Sequence, residues 1–324
     1  MHNRDLVVIG ASAGGLEPMR RIFSGLRPTL PASVLVTQHL APQRPSMLQS
    51  ILARAGNFPV VDAEDGMPLE LGRAYVARPD CHLLVTGNRL ALNREPQQNG
   101  VRPAIDVLFC SAAARGRAAV GVLLSGTLDD GTFGLHVLKQ AGGATIVQDP
   151  LDAEFAEMPA NAIDNVAIDH VVPASAIAAM LHQLTEEALP PLPAVPADVG
   201  APADLPTGAV YICPDCGGPL QELAVAGLQR YRCELGHQYA PQALLASMGM
   251  ETLRAVWSAL RLHHDQLRVY RRLAERTARS GNPSLAERLH RRIAELERHE
   301  AALRKLVSAM PPTIRRDPPA GSKQ

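Results

Sequence analysis

Three polar side chains in the first 130 residues each follow an apolar run, and together they have the make-up of a nucleophile, a base and an orienting acid. Ser12 lies in Gly10-Ala11-Ser12-Ala13-Gly14-Gly15, directly after Leu6-Val7-Val8-Ile9. A Gly-x-Ser-x-Gly turn between a strand and a helix leaves its flanks bare. It pushes the serine outward at the sheet's end and brings helix N-terminal amides near enough to hold an oxyanion. Taken alone the motif admits two other readings. One is a phosphate-binding turn, although Ser12 stands where Gly-x-Gly-x-x-Gly needs its second glycine; the other is a purely structural turn. His39 follows the run Ser33–Thr37, and a lone histidine is more often structural than catalytic. Asp129 and Asp130 precede Gly131 after the apolar run 118–125, where Asp-Gly usually marks a turn or a helix cap. As a set they are suggestive. A serine hydroxyl needs a base to become a nucleophile, a neutral imidazole can take its proton, and a carboxylate fixes the imidazole tautomer.

A second constellation is Cys213, Cys216, Cys233 and His237, spaced C-x2-C-x16-C-x3-H with glycines 217, 218 and 236 beside the ligands. Two such knuckles suit tetrahedral zinc, and four protein ligands leave no open position, so the expected metal is structural. The competing reading is reduced, unliganded thiols or a redox-active C-x-x-C. Cys81 and Cys110 have no partners at ligand spacing and read as ordinary buried residues.

The elements that must carry these residues alternate. Strands are expected at 6–9, 33–37, 60–62, 118–125, 145–148 and 170–172, and helices at 17–26, 46–55, 104–114, 131–141, 158–165 and 174–188. Continuous apolar strands alternating with helices predict a doubly wound, mostly parallel α/β sheet, which places its chemistry at the strands' carboxyl ends. Residues 73–94 break this rhythm with short alternating runs and a Gly87-Asn88 turn signal, which predicts an antiparallel hairpin at the edge. Residues 189–207 are Pro- and Ala-rich with almost no charge, and read as a semi-extended linker. Beyond the cysteines, Leu253, Trp257, Leu260, His264 and Leu267, then Leu285, Leu289, Ile293, Leu296, Leu303 and Val307, recur at helical spacing. They predict two amphipathic helices, 241–278 and 283–308, forming a helical hairpin.

The 324 residues carry no net formal charge, but from Glu251 onward there are 16 Lys/Arg against 8 Asp/Glu, so a basic end is balanced by an acidic front. A solvated helix surface accounts for that excess more simply than nucleic acid, and Tyr231 and Tyr239 near the cysteines offer little stacking surface. The apolar runs are too short to span a bilayer, and the first reads as a strand rather than a signal peptide. Five cysteines, three of them at ligand spacing, imply reduced thiols and a cytoplasmic location.

Over residues 5–185 the chain resembles the catalytic domain of the CheB protein-glutamate methylesterases of chemotaxis. The resemblance rests on VVIGASAGG, QHLAP around His39, AYVARPDCHLLV, RPAIDVLF and GVLLSGTLDDGTFGLHVLKQAGG, in family order. It implies Ser12 as nucleophile, His39 as base and Asp130, the residue just before the glycine, as orienting carboxylate. It implies no catalytic cofactor, and hydrolysis of glutamyl methyl esters on methylated chemoreceptor-type proteins, often with glutamine deamidation. Other chemotaxis-like signalling proteins are further expected partners. Ala13 stands where members commonly have Thr, and Thr127-Leu128-Asp129 where they commonly have Met-Gly-Asn. Thr127 is thus expected to supply an oxyanion N–H, with Leu128 in a glycine's place. The family's usual receiver domain is not expected, because the catalytic strand starts at residue 6.

The expected organisation is a catalytic domain at 1–188, the linker 189–207, a zinc-ribbon-like module at 208–240, a helical hairpin at 241–310 and a disordered tail at 311–324. Residues 208–310 are expected to select a partner, by docking acidic receptor helices or by covering the acidic catalytic domain. The alternative function is a non-catalytic or retargeted regulatory protein that keeps the scaffold.

Overall fold

The structure is a computed structural model and describes residues 3–39, 46–189, 211–225, 227–279 and 283–309. The linker from residue 190, the Leu40-Ala41-Pro42 part of the His39 motif and the tail 311–324 lie outside the described residues.

The first half alternates as its apolar pattern requires: β1 (Leu6–Ala11), α1 (Leu16–Gly25), β2 (Ser33–Gln38), α2 (Leu48–Ala53), β3 (Val60–Asp62), β4 (Ala74–Val76), then the pair β5 (His82–Thr86) and β6 (Arg89–Asn93). There follow α3 (Ile105–Ala112), β7 (Ala119–Leu123), α4 (Thr132–Gln140), β8 (Ala144–Gln148), α5 (Glu157–Asn165), β9 (His170–Val172) and α6 (Ala174–Glu186). Seven strands form one sheet in the order β3-β4-β2-β1-β7-β8-β9, every pair parallel. Alternate residues of β1 enter different cores: Val7, Ile9 and Ala11 pack under α1 and α6, while Leu6 and Val8 pack with Ile105, Leu108 and Phe109 of α3. A strand with helices on both faces needs apolar side chains at every position.

The short runs at 73–94 divide differently from the expectation. Ala74-Tyr75-Val76 joins the parallel sheet between β3 and β2, and only β5 and β6 form the hairpin, a separate two-stranded sheet turning at Gly87-Asn88. Alternation in so short a strand does not reveal whether its partners run parallel or antiparallel.

The chain separates into two compact units, Met1–Leu244 and Leu245–Gln324. The first includes a four-stranded antiparallel knuckle sheet: β10 (Tyr211–Ile212), β11 (Pro219–Val225), β12 (Leu228–Cys233) and β13 (Gln238–Tyr239). It also includes the opening turn of α7 (Pro241–Arg279). The second unit holds the rest of α7 and α8 (Pro283–Ala309). Its seam is narrower than the spacing implied. Leu253, Leu260, Leu267 and Ala274, seven residues apart, are buried with Leu296, whereas Trp257 and His264 are exposed. A two-helix seam takes positions alternately three and four residues apart, and Val256, His263 and Tyr270 complete it half-buried; Trp257 and His264 fall one residue past those positions and face solvent. Arg271 pairs with Glu297 at 2.7 Å across it.

Candidate active site

Three adjacent strands deliver the three candidate groups. β2, β1 and β7 lie side by side, with Ala11 level with Gln38 and Gly10 level with Leu123. The residues just past their carboxyl ends therefore meet: Ser12 after β1, His39 after β2, and the loop 124–131 after β7. His39 Nδ1 is 2.9 Å from Ser12 Oγ, and His39 Nε2 is 2.7 Å from Asp130 Oδ2. With its proton on Nε2 given to Asp130, the imidazole presents a bare Nδ1 to the serine hydroxyl, the arrangement a general base requires.

The serine loop is fixed from several sides. Gln38 Nε2 donates to the Ser12 carbonyl at 2.6 Å, the Ser12 amide donates to the Ser125 carbonyl at 3.0 Å, and Ser125 Oγ donates to the Ala13 carbonyl at 2.8 Å. Gly126 is required here, since a Cβ on it would lie 2.8 Å from the Ser12 Cβ. Beside it Leu128 has φ +67°, a left-handed conformation that costs an L-residue with a side chain roughly 1–2 kcal/mol. Asn161 Nδ2 donates to its carbonyl at 2.6 Å and holds it there.

Asp130 is buried and accepts five donors. Oδ2 takes His39 Nε2 and the Ile105 amide at 2.7 Å; Oδ1 takes Asn99 Nδ2 at 2.8 Å and the Asp106 and Gly131 amides at 3.1 Å. Burial works to raise this carboxyl, but the hydrogen bond and charge of His39, with the hydrogen bonds from Ile105 and Asn99, hold it below the usual carboxylate range. Asp130 thus caps the start of α3. Asp106, inside α3, reciprocates: its Oδ1 accepts the Gly131 and Gly134 amides, at 3.0 and 2.8 Å, at the start of α4. Each carboxylate sits where a helix N-terminus favours negative charge. Asp129 turns the other way, accepting the Gln242 and Ala243 amides at 3.1 and 3.2 Å and capping α7. Burial pushes its carboxyl up to about 6, against those two hydrogen bonds.

The sequence reading did not single out Asn99, Asp106, Ser125 or Arg230. Asp106 was within reach, inside the RPAIDVLF run. Arg230 was not, because nothing local ties a residue of the knuckle to α3. Arg230 Nη1 lies 2.7 Å from Asp106 Oδ2, with both side chains buried and the guanidinium 4.6 Å from the Phe133 ring centre. The knuckle backbone also grips Asn99: Ala240 donates to its Oδ1 at 2.8 Å, and its own amide donates to the Gln238 carbonyl at 2.7 Å.

Cys213, Cys216, Cys233 and His237 converge, with one donor atom from each within 4.8 Å of every other, and this cluster can hold a metal ion. The Cys216 and Cys233 sulfurs are 3.8 Å apart, and Cys233 Sγ is 3.4 Å from His237 Nδ1. Thiolates at ~2.3 Å from a tetrahedral ion stand about 3.8 Å from one another, so the donor set fits. Cys81 and Cys110 are half-buried rather than fully buried. Among the described residues no helix is long and apolar enough to cross a membrane.

Residues 7–181 match the family described as CheB methylesterase. Protein-glutamate methylesterase/protein-glutamine glutaminase 2 of Anaeromyxobacter dehalogenans is 37% identical over 182 residues, 56% of this chain and 53% of that protein. Methylesterase/glutaminase 4 of Geobacter metallireducens is 40% identical over 185 residues, 56% of this chain and 53% of its own. The Pyrococcus abyssi protein of that name is 38% identical over 175 residues, 52% and 48%. The chain thus spans about half the length of these curated relatives. The crystal structure of the Thermotoga maritima CheB methylesterase catalytic domain is similar at TM-score 0.54 and 32% identity, over 56% of this chain and 98% of that one.

Proposed function

The chain belongs to the CheB methylesterase family, and from that premise we propose that it is a serine hydrolase that removes methyl esters from glutamyl side chains of chemoreceptor-type proteins, with glutamine deamidation as a second activity of the same site. The observation that carries this reading is the unbroken chain Ser12–His39–Asp130, at 2.9 and 2.7 Å, on three adjacent strand ends. In the proposed reaction Ser12 Oγ attacks the ester carbonyl carbon while His39 Nδ1 takes its proton. The oxyanion gathers N–H donors from the turn, Thr127 among them, close to the N-terminus of α1. Collapse expels methoxide, which leaves as methanol with the proton held by His39. Water then attacks the acyl-serine by the same route, releasing the glutamate and restoring Ser12. Asp130 stays ionised throughout and keeps the imidazole in the productive tautomer.

On this reading residues 1–188 form the catalytic domain, and Cys213, Cys216, Cys233 and His237 hold one structural zinc in the module at 208–240. Zinc is favoured by the donor set of three sulfurs and one imidazole, and with four protein donors it would stabilise the knuckle rather than take part in the reaction. The expected partner is a methylated receptor-type helix. The reaction is tested by incubating the full chain with helical peptides bearing glutamyl methyl esters and following them by mass spectrometry. Loss of one methylene mass per ester is expected; peptides left unchanged, under conditions where the chain is folded, contradict the proposal.

A further inference from the structure

The family match ends at residue 181, yet the most deeply buried ion pair beside the triad comes from beyond it. Asp106 and Asp130 flank a single amide nitrogen, Asn99 Nδ2, at 2.9 and 2.8 Å. Two buried carboxylates so close repel each other, and one tends to take up a proton unless a cation intervenes. Arg230 is that cation: it bonds Asp106 on the oxygen that also meets Asn99, and both side chains are almost fully buried. A buried pair is weak evidence of added stability, because desolvating both ions offsets much of their attraction. Its position is more telling, since the same knuckle also holds Asn99 through Gln238 and Ala240.

We propose that Arg230 is a positioning residue for the triad, balancing the buried charge of Asp106 so that Asp130 remains an anion bonded to His39, and that the Cys/His knuckle is thereby a working part of the hydrolase. The inference rests on the hydrolase reading of Ser12, His39 and Asp130. It replaces the expectation of a module that only docks a partner or covers the site. Burial pushes the Asp106 carboxyl up, and Arg230 is the strongest opposing influence. The other titratable groups facing Asp106 are Asp130 and Asp129 from the loop before α4 and Cys110 from its own helix, with His39 beyond Asp130. None of these supplies a fixed positive charge.

The test is the pH profile of kcat/KM for the full chain on a small activated ester. Arg230→Met should move the acid limb up by about one unit and lower turnover near neutrality about tenfold, because uncompensated negative charge favours protonation within the site. Asp106→Asn, which removes the other charge, should move the limb the opposite way, and the double variant should return it close to wild type. A residue that merely fastened the knuckle would lower thermal stability and leave the limb in place. Limbs unmoved in the folded variants overturn the proposal. If Arg230→Met does not fold, Asp106→Asn and the charge-free double variant carry the test by the same signs. A substrate-free readout separates this inference from the function itself. The downfield proton signal of the His39–Asp130 hydrogen bond, identified by its loss in His39→Gln, should change with pH in step with those limbs even if no ester proves to be turned over. A signal whose transition is the same in wild type and all variants refutes the inference.

Discussion

Replacing Asp130 by Asn exchanges one carboxylate oxygen for an NH2 group in a site where all five neighbours are donors. The amide has two orientations. With its oxygen toward His39, the NH2 faces Asn99 Nδ2 and the Asp106 and Gly131 amides. Gly131 keeps its bond to Asp106 Oδ1, but the Asp106 amide is left unpaired, and if Asn99 rotates its own amide to accept, the Ala240 amide loses its acceptor as well. With its NH2 toward His39, the imidazole adapts by moving its proton to Nδ1, and only the Ile105 amide is orphaned. A buried unpaired donor costs about 1–3 kcal/mol, so the second orientation is preferred by about fivefold or more. It is the unproductive one, because a proton on Nδ1 points at Ser12 Oγ and nothing can accept the hydroxyl proton. The minority in the productive orientation also lacks the anion that steadies the imidazolium, so turnover should fall by a factor on the order of 10^4, the size of the loss when the Asp of a serine triad becomes Asn. One orphaned amide should lower unfolding free energy by about 1–3 kcal/mol. Steady-state hydrolysis of a small ester, with a urea melt on the same sample, measures both. Activity within tenfold of wild type in a folded Asp130→Asn chain would refute the tautomer argument.

Three further outcomes are expected. The purified chain should carry one zinc per molecule, and Cys233→Ser should lose it together with most of the ester activity, since the knuckle holds Asn99 and Arg230 against the triad; elemental analysis and turnover on one preparation check this, and a metal-free chain of full activity contradicts it. Leu128→Gly should raise stability by about 0.5–1 kcal/mol, because glycine adopts φ +67° without the penalty a side chain meets; a lower denaturant midpoint contradicts it. Asp129 has a folded-state value pushed up to about 6, above its unfolded value, so the folded chain binds that proton more tightly. Its contribution is therefore largest in acid and is lost as pH rises from about 4 to about 6; the stability gap between wild type and Asp129→Ala should narrow over that window, and a widening gap contradicts the sign.

Much of the α/β half was legible because its signals are local. A short, β-branched apolar run such as Val120–Leu124 bounded by turn residues reads as a strand covered on both sides, and Ser12, His39 and Asp130 each lie within a few residues of the end of such a run. Family order then chose Asp130 over Asp129, and the structure gives the two opposite duties, one facing His39 and the other capping α7. Illegible features depend on distant pairing. Arg230 and Asp106 are 124 residues apart, and an arginine in Leu228–Cys233 reads as a surface residue of a metal knuckle until its partner is known. The three-residue strand Ala74–Val76 is too short to announce its neighbours. Trp257 matched a helical stripe by spacing, but it falls one residue past the seam position that Val256 occupies, and a spacing of three or four does not say which.

The central claim is that Ser12 is the nucleophile of a glutamyl methylesterase. Methanol release from methylated receptor-type helices, followed in parallel for the full chain and for Ser12→Ala, tests it most directly. Steady release by the full chain and a loss of at least about 10^4-fold in the variant are expected, because nucleophile and base act as a unit. Equal release by both chains would contradict the account.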